Sequence, residues 1–133
     1  MTTVQVFVDT GYFYARLDEH DQEHERTREA VMRDVEAVTS SLVVSETITL
    51  LQNRGMFSTA LSFLGEIRYR SRIRIIHVDP VLQAEAWDLF GKWGPSGAAV
   101  VDCASFAIMR SLGIKRAFSF DWHFRAAGFE ILE

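Results

Sequence analysis

Four carboxylates stand where apolar runs end: Asp9 after VQVFV, Glu46 after LVVS, Asp102 after AAVV, and Asp121 after AFSF. A side chain in such a position emerges at the edge of a core, not from a free surface. Four of them on one edge would repel strongly and raise one another's pKa, so the cluster is costly unless a cation resides there. Oxygen-only ligands suit a hard cation, Mg²⁺ or Mn²⁺. The chemistry suited to that site is phosphoryl transfer or phosphodiester hydrolysis, with water activated by metal and few protein nucleophiles required. The chain has no convincing Ser-His-Asp or Cys-His arrangement; its single cysteine, Cys103, excludes an internal disulfide, and with the histidines scattered there is no Cys/His set at zinc spacing.

Each acid also has a structural reading. Asp102 and Asp121 suit helix N-caps, and Glu46 suits a first-turn glutamate favoured by the helix dipole. Asp9, in Asp-Thr-Gly at the end of an apolar strand, is the hardest to explain structurally. The case rests on the set.

The elements that must position these acids follow from periodicity. Thr3–Asp9 reads as a buried strand and Gly11–Leu17 as a short aromatic helix. His20–Arg28 is a polar connection or helix start. Glu29–Ser40 has helical spacing at Ala30, Val31, Val35 and Val38. Leu42–Val44 is a short apolar run, and Ser45–Arg54 a helix stopped by Gly55 and opened by Glu46. Phe57–Tyr69 is amphipathic, with Ala60, Leu61, Leu64 and Ile67 on one face. Arg74–Val78 is a strand and Asp79-Pro80 a helix-start pair. Val81–Trp93 is a helix with Leu82, Ala86, Leu89 and Phe90 inward, followed by a loop over Gly94–Ala98. Val100–Leu112 is an apolar helix closed by Gly113. Ile114–Phe120 is a strand, Asp121–Ala127 a short helix and Phe129–Leu132 a last strand. Alternation of this kind predicts an α/β fold whose mainly parallel sheet is covered on both faces, with its site beyond the carboxyl ends of the strands.

Length and composition bound the remainder. The 133 residues, 48% of them hydrophobic, suit one compact domain over residues 1–133. There is no repeat, linker or apolar run long enough to span a membrane, and the N-terminus reads straight into a strand, so the cytoplasm is the expected compartment. The net charge of −4 argues mildly against strong nonspecific nucleic-acid binding. The charge is uneven, however: Arg54, Arg68, Arg70, Arg72 and Arg74 face only Glu66 in their stretch. Arg68, Arg70, Arg72 and Arg74, which alternate through RYRSRIR, could touch RNA phosphates, pair with the acidic N-terminal half, or keep the surface soluble.

Other features carry competing readings. His20 and His24 are one helical turn apart, a metal pair or a solvated face. His77 reads as a packing histidine, and His123 as a packing residue or a phosphate contact. Asp79 reads as an N-cap and Asp88 as a solvated mid-helix residue that one turn of the helix could bring to the site. Tyr12, Phe13, Tyr14, Trp87, Phe90 and Trp93 read as core; any left exposed would offer a groove for a partner helix or a second subunit.

At these residues the chain resembles the PIN-domain family, and more closely its VapC-type toxin branch. The resemblance runs through VFVDTGYFYARLDEHDQEH with Asp9, VVSETITLLQNRG with Glu46, IIHVDPVLQAEAWDLFGKW leading to VDCASFAIMRSLGI with Asp102, and RAFSFDWHFRAAGFEIL with Asp121. It implies a three-layer α/β/α sandwich and Mg²⁺- or Mn²⁺-dependent endoribonuclease activity, with the four acids as metal-holding and catalytic residues. It also implies homodimerisation and inhibition by a small VapB-like antitoxin, as in type II toxin–antitoxin pairs. Thr10 and Ser119 match hydroxyl positions beside the acids, and Ser105, one turn beyond Asp102, is a further supporting candidate. Gly11 stands where many relatives carry Ser or Asn, which removes one polar contact.

Three other functions share some of these features. A PIN nuclease could serve RNA maturation or DNA processing. A noncatalytic metal- or phosphate-binding module of receiver type also has acids at strand ends, but it requires a lysine near them, and the only lysines are Lys92 and Lys115. An Asp-nucleophile phosphatase pairs its nucleophile with a second Asp two residues on, where this chain has Gly11.

Overall fold

A computed structural model describes residues 4–29 and 35–132. Five strands form one wholly parallel sheet: β1 Val4–Val8, β2 Val35–Ser40, β3 Arg74–Ile76, β4 Arg116–Phe118 and β5 Glu130–Leu132, in the order β3-β2-β1-β4-β5. The helices are α1 Thr10–Leu17, α2 His24–Glu29, α3 Ser41–Asn53, α4 Phe57–Tyr69, α5 Pro80–Trp93, α6 Val100–Leu112 and α7 His123–Ala126. The chain moves outward from β1 to β2 to β3, then crosses back to β4 and β5. Right-handed crossovers therefore place α1–α4 on one face and α5–α7 on the other, giving the expected three-layer α/β/α sandwich. Helices packed together sort the same way, α1 with α2 and α3, α3 with α4, and α5 with α6.

The core lies on both faces of β1. Val6, Phe7 and Val8 are almost wholly buried, with Val38, Val43, Phe106, Ile108, Met109 and Phe124 around them. A strand covered on two faces carries no polar alternation, which is why VQVFV reads as a continuous apolar run.

One expected element differs. Glu29–Ser40 reads as helical, yet Val35–Ser40 is β2, paired in register from Val4↔Val35 to Phe7↔Val38; residues 30–34 of that segment lie outside the described residues. The Val35/Val38 spacing fits a helix as well as a doubly buried strand. What decides is tertiary: the β-branched Val35, Val38 and Thr39 sit between β1 and β3, and the Thr39 hydroxyl donates to the Val8 carbonyl at 2.8 Å. The next helix consequently begins earlier than expected. Ser40 is its N-cap, accepting from the Val43 amide at 3.1 Å, so Leu42–Val44 and Ser45–Arg54 form one helix. Glu46 lies in its second turn and does not open it.

Two helix faces are rotated relative to expectation. In α4 the buried line is Ala60, Phe63 and Ile67, which turns Leu61 out to 55% exposure. In α5 only Ala86 is fully buried, and Phe90 is exposed. The strand expected over Ile114–Phe120 is limited to Arg116–Phe118, freeing Ser119 and Phe120 to enter the loop that carries Asp121.

Asp79 caps α5 as expected, accepting from the Leu82 amide at 2.9 Å with Pro80 following. Asp79→Ala removes that bond and should lower stability by about 1 kcal/mol, a drop of roughly 3–5 °C in a thermal melt.

Candidate metal centre

In a doubly wound sheet the crevice forms where successive crossovers leave in opposite directions. Here that point lies between β1, whose chain leaves toward β2, and its neighbour β4, whose chain leaves toward β5. Asp9 follows β1 and Asp121 follows β4. Glu46 on α3 and Asp102 on α6 come in from the two opposing helical layers. All four carboxylates border a single cavity of about 370 Å³, together with Thr10 and Phe120.

Each acid is held differently. Asp9 occupies the N-cap position of α1, yet its carboxylate makes no capping hydrogen bond. Instead its Oδ2 accepts from the Ser119 hydroxyl at 2.9 Å. Ser119 Oγ in turn accepts from the Asp121 amide at 3.0 Å, so one buried hydroxyl links two acids. Asp102, at the third position of α6, accepts from the Ala99 amide at 2.9 Å. Asp121 Oδ1 accepts from the His123 amide at 2.9 Å and lies 2.6 Å from His123 Nδ1. The structural readings of Asp102 and Asp121 thus hold in part: both tie down a helix start while bordering the cavity.

The electrostatics are those of a crowded anionic site. Burial, then the nearby Asp102 and, more weakly, Asp121, raise Asp9 to about 7, against the pull of its hydrogen bonds to Ser119 and the Thr10 backbone. Burial also raises Asp102 to about 6, with Asp121 and Glu46 adding to the effect. His123 is buried, which by itself would lower its pKa. Its contacts with the Ser96 carbonyl, 2.9 Å from Nε2, and with Asp121 outweigh burial and raise it. Both ring nitrogens face acceptors, an arrangement that the doubly protonated ring alone satisfies completely. Among the described residues no three His, Cys, Asp or Glu side chains are gathered closely enough to cage an ion as they stand.

Of the supporting hydroxyls, Ser119 contacts Asp9 as described. Thr10 Oγ1 is buried, borders the cavity and lacks a hydrogen-bond partner. Ser105 does not reach the acids: its hydroxyl donates to the Val101 carbonyl on its own helix at 3.0 Å, the usual outcome for a buried mid-helix serine. Gly11 borders the cavity too, and a Cβ there would meet nothing within 4 Å, so the missing polar group is not excluded by space.

The remaining candidates lie elsewhere. His20 is exposed beside Glu19, as the solvated reading has it, whereas His24 is half-buried with Nδ1 2.7 Å from the Ala15 carbonyl. Both border a larger groove of about 680 Å³ in which Tyr14 donates to Asp18 and Arg54 lies over the Tyr14 ring; its polar groups largely satisfy one another. His77 is exposed, contrary to its packing reading, and Asp88 is exposed on α5 and does not border the acidic cavity. Arg70 pairs with Glu66 at 2.7 Å and Arg68 lies over Tyr69. Arg74 enters β3 at its amino end, the opposite edge of the sheet from the acids. His123 is the residue that sequence reasoning undervalued; its place two residues after Asp121, in reach of the same carboxylate, was the available signal.

The family model for the PIN domain matches residues 6–130. The 23S rRNA-specific endonuclease VapC20 of Mycobacterium tuberculosis is 34% identical over 125 residues, spanning 93% of this chain and 95% of that protein. The crystal structure of M. tuberculosis VapC20, described as a Sarcin-Ricin loop cleaving toxin, superposes with a TM-score of 0.84 at 32% identity over 93% of this chain and 95% of that one. FitAcB from Neisseria gonorrhoeae shares the fold at 15% identity, with a TM-score of 0.66 and 96% of each chain covered. The chain belongs to the PIN-domain family, within its branch of VapC-type toxin ribonucleases.

Proposed function

We propose that this protein is a divalent-metal-dependent endoribonuclease, the toxin of a type II toxin–antitoxin pair, hydrolysing RNA phosphodiester bonds at the cavity bordered by Asp9, Glu46, Asp102 and Asp121. The observation that carries this reading is the convergence of four carboxylates, from four separate segments, on one 370 Å³ cavity at the switch point of the sheet.

The donor set fits a hard cation. It is all oxygen, it includes the unpartnered Thr10 hydroxyl, and Asp9 and Asp102 are pushed up in pKa, first by burial and further by the neighbouring carboxylates. The carboxylates border the space without caging it, which suits Mg²⁺ or Mn²⁺: Mg²⁺ in particular retains several waters and is held by few carboxylates. When bound, such an ion supplies a water nucleophile and neutralises charge developing on the phosphate. Asp9, Glu46, Asp102 and Asp121 would hold it. Ser119 fixes one oxygen of Asp9, the Ala99 amide fixes one of Asp102, and His123 fixes one of Asp121. Thr10 has a hydroxyl to offer to water or a phosphate oxygen.

Ser119→Ala tests this support. It strips a buried carboxylate of its hydrogen bond and leaves the Asp121 amide without an acceptor, so stability should fall by about 1–3 kcal/mol. Cleavage should slow by about 10-fold or more, the usual cost of losing a residue that orients a metal ligand; an unchanged kcat would separate Ser119 from the site.

The substrate we propose is a structured loop of ribosomal RNA, following the 23S rRNA specificity named for the 34%-identical relative. Such a substrate places the protein in the cytoplasm; no helix among the described residues is long and apolar enough to cross a membrane. The exposed Val81, Trp87 and Phe90 of α5 provide apolar surface for a second subunit or a VapB-like antitoxin, the partners we propose. The test is cleavage of ribosomes and of total RNA by purified protein, with Mg²⁺ or Mn²⁺ and with chelator. Cuts confined to one rRNA loop and dependent on metal are expected. Preferential cutting of flapped DNA or of precursor RNA would favour the maturation or DNA-processing reading.

A further inference from the structure

Beside the acidic cavity stands an aromatic surface that the hydrolytic chemistry does not use. Trp122 immediately follows Asp121 and is 58% exposed. Its ring lies 4.0 Å from the His123 ring, 25° from coplanar. One indole face is therefore covered by imidazole, and the exposed area belongs to the other face and the edges. His123 is itself anchored at both nitrogens, to Asp121 and to the Ser96 carbonyl. The indole thus rests on a ring that cannot easily turn, and that ring is fastened to a carboxylate bordering the cavity.

Trp122 is not needed to fill the core, since Phe124, two residues on, is wholly buried against Phe106. Leaving a large aromatic in water forfeits the burial energy it could contribute, so an immobilised one beside a site is a contact surface. Proteins that read RNA splay out unpaired bases and stack them on aromatic faces, and every base has a face that can stack.

We propose that Trp122 is a base-stacking platform: its outward indole face takes an unpaired nucleobase of the RNA adjacent to the phosphodiester held at the Asp9–Asp121 cavity. The inference rests on the ribonuclease reading and adds a substrate requirement, an unpaired base at that position. Trp122 is a positioning residue, acting on binding and register and not on the bond broken.

The test uses the full chain with Asp9→Asn, so that RNA can bind with Mg²⁺ present without being cut, and with Trp87→Phe and Trp93→Phe, so that Trp122 is the sole tryptophan. A hairpin RNA with an unpaired loop should quench its emission, and a fully paired duplex should not. In the otherwise native enzyme, Trp122→Ala should raise KM for the loop substrate by about 10-fold, the size of one lost base–aromatic stack, with the loss falling mainly on KM. Trp122→Phe should recover most of it, and Phe57→Ala, which removes a similarly exposed aromatic at the start of α4, should not change KM. Metal-dependent cleavage by the parent enzyme, combined with unquenched Trp122 emission and an unaltered KM in Trp122→Ala, overturns the platform while leaving the ribonuclease reading intact. A loss in Trp122→Ala confined to kcat also overturns it, since it would show that the indole only shields His123 and Asp121. Absence of metal-dependent cleavage by the parent enzyme overturns the ribonuclease reading, and the platform with it.

Discussion

Asp9→Asn should abolish metal-dependent RNA cleavage and, in the same protein, raise the melting temperature of the metal-free fold above about pH 7, where the Asp9 carboxyl is ionised. The two effects have one cause. Asp9 is a buried carboxylate that faces two others, held up to about 7 chiefly by burial. Asparagine keeps the shape, can still accept from Ser119, and removes the charge that has no compensation without a cation. It is also as good an N-cap as aspartate, although Asp9 makes no capping bond here, so α1 loses nothing. Catalysis loses a ligand from the centre of the site. If metal binding supplies several kcal/mol of transition-state stabilisation, the rate should fall by about three orders of magnitude. Cleavage kinetics and a thermal melt on one preparation check both halves. A variant that melts earlier would mean that the Asp9 charge supports the fold instead of straining it.

The second large effect is a pH dependence with the opposite sign to ordinary acid denaturation. A carboxyl raised from 3.8 to about 7 by folding binds its proton more tightly in the native state than in the unfolded one. Stability falls with pH wherever the native state holds more protons. From Asp9 alone, metal-free protein should lose stability between about pH 4 and about pH 7, at up to roughly 1.4 kcal/mol per unit. Asp102, raised to about 6, adds to the lower part of this window. Above about pH 7 Asp9 completes its ionisation, Asp102 is already ionised, and the loss levels off. A divalent cation reverses the trend, because it binds the ionised acids and stabilises the native state by mass action. Melting temperatures in chelator should therefore be lower at about pH 7.5 than at about pH 5, and millimolar Mg²⁺ or Mn²⁺ should give its largest gain at the higher pH. A flat profile in chelator, with no gain from metal, would mean that the carboxylates do not form one electrostatic unit.

Much of this site can be read from the chain because strand ends are conspicuous. VQVFV followed by Asp-Thr-Gly, and AFSF followed by Asp, mark the carboxyl edge of a buried parallel sheet without a structure, and the amphipathic Phe57–Tyr69 and apolar Val100–Leu112 coincide with α4 and α6. The segment before Glu46 is harder to read. Its valines satisfy helix and strand periodicity alike, and only the neighbours β1 and β3 decide for the strand. Once β2 ends at Ser40, the serine cap starts α3 five residues before Glu46, and the acid reaches the cavity from a helix flank. Side-chain direction was beyond periodicity as well. Ser105 and Ser119 are both serines near acids, yet one bonds back onto its helix and the other bridges two segments 110 residues apart. The two-sided anchoring of His123 needs the Ser96 carbonyl, which the 94–98 loop delivers from 27 residues away.

We propose that these four carboxylates hold the ion with which the protein cuts RNA. Anomalous diffraction from crystals grown with Mn²⁺, using protein that cleaves RNA in the same buffer, tests it most directly. Manganese is expected in the cavity between Asp9, Glu46, Asp102 and Asp121, with no such peak there in Asp9→Asn. Manganese bound only elsewhere in the active protein, with that cavity empty of metal, would contradict it.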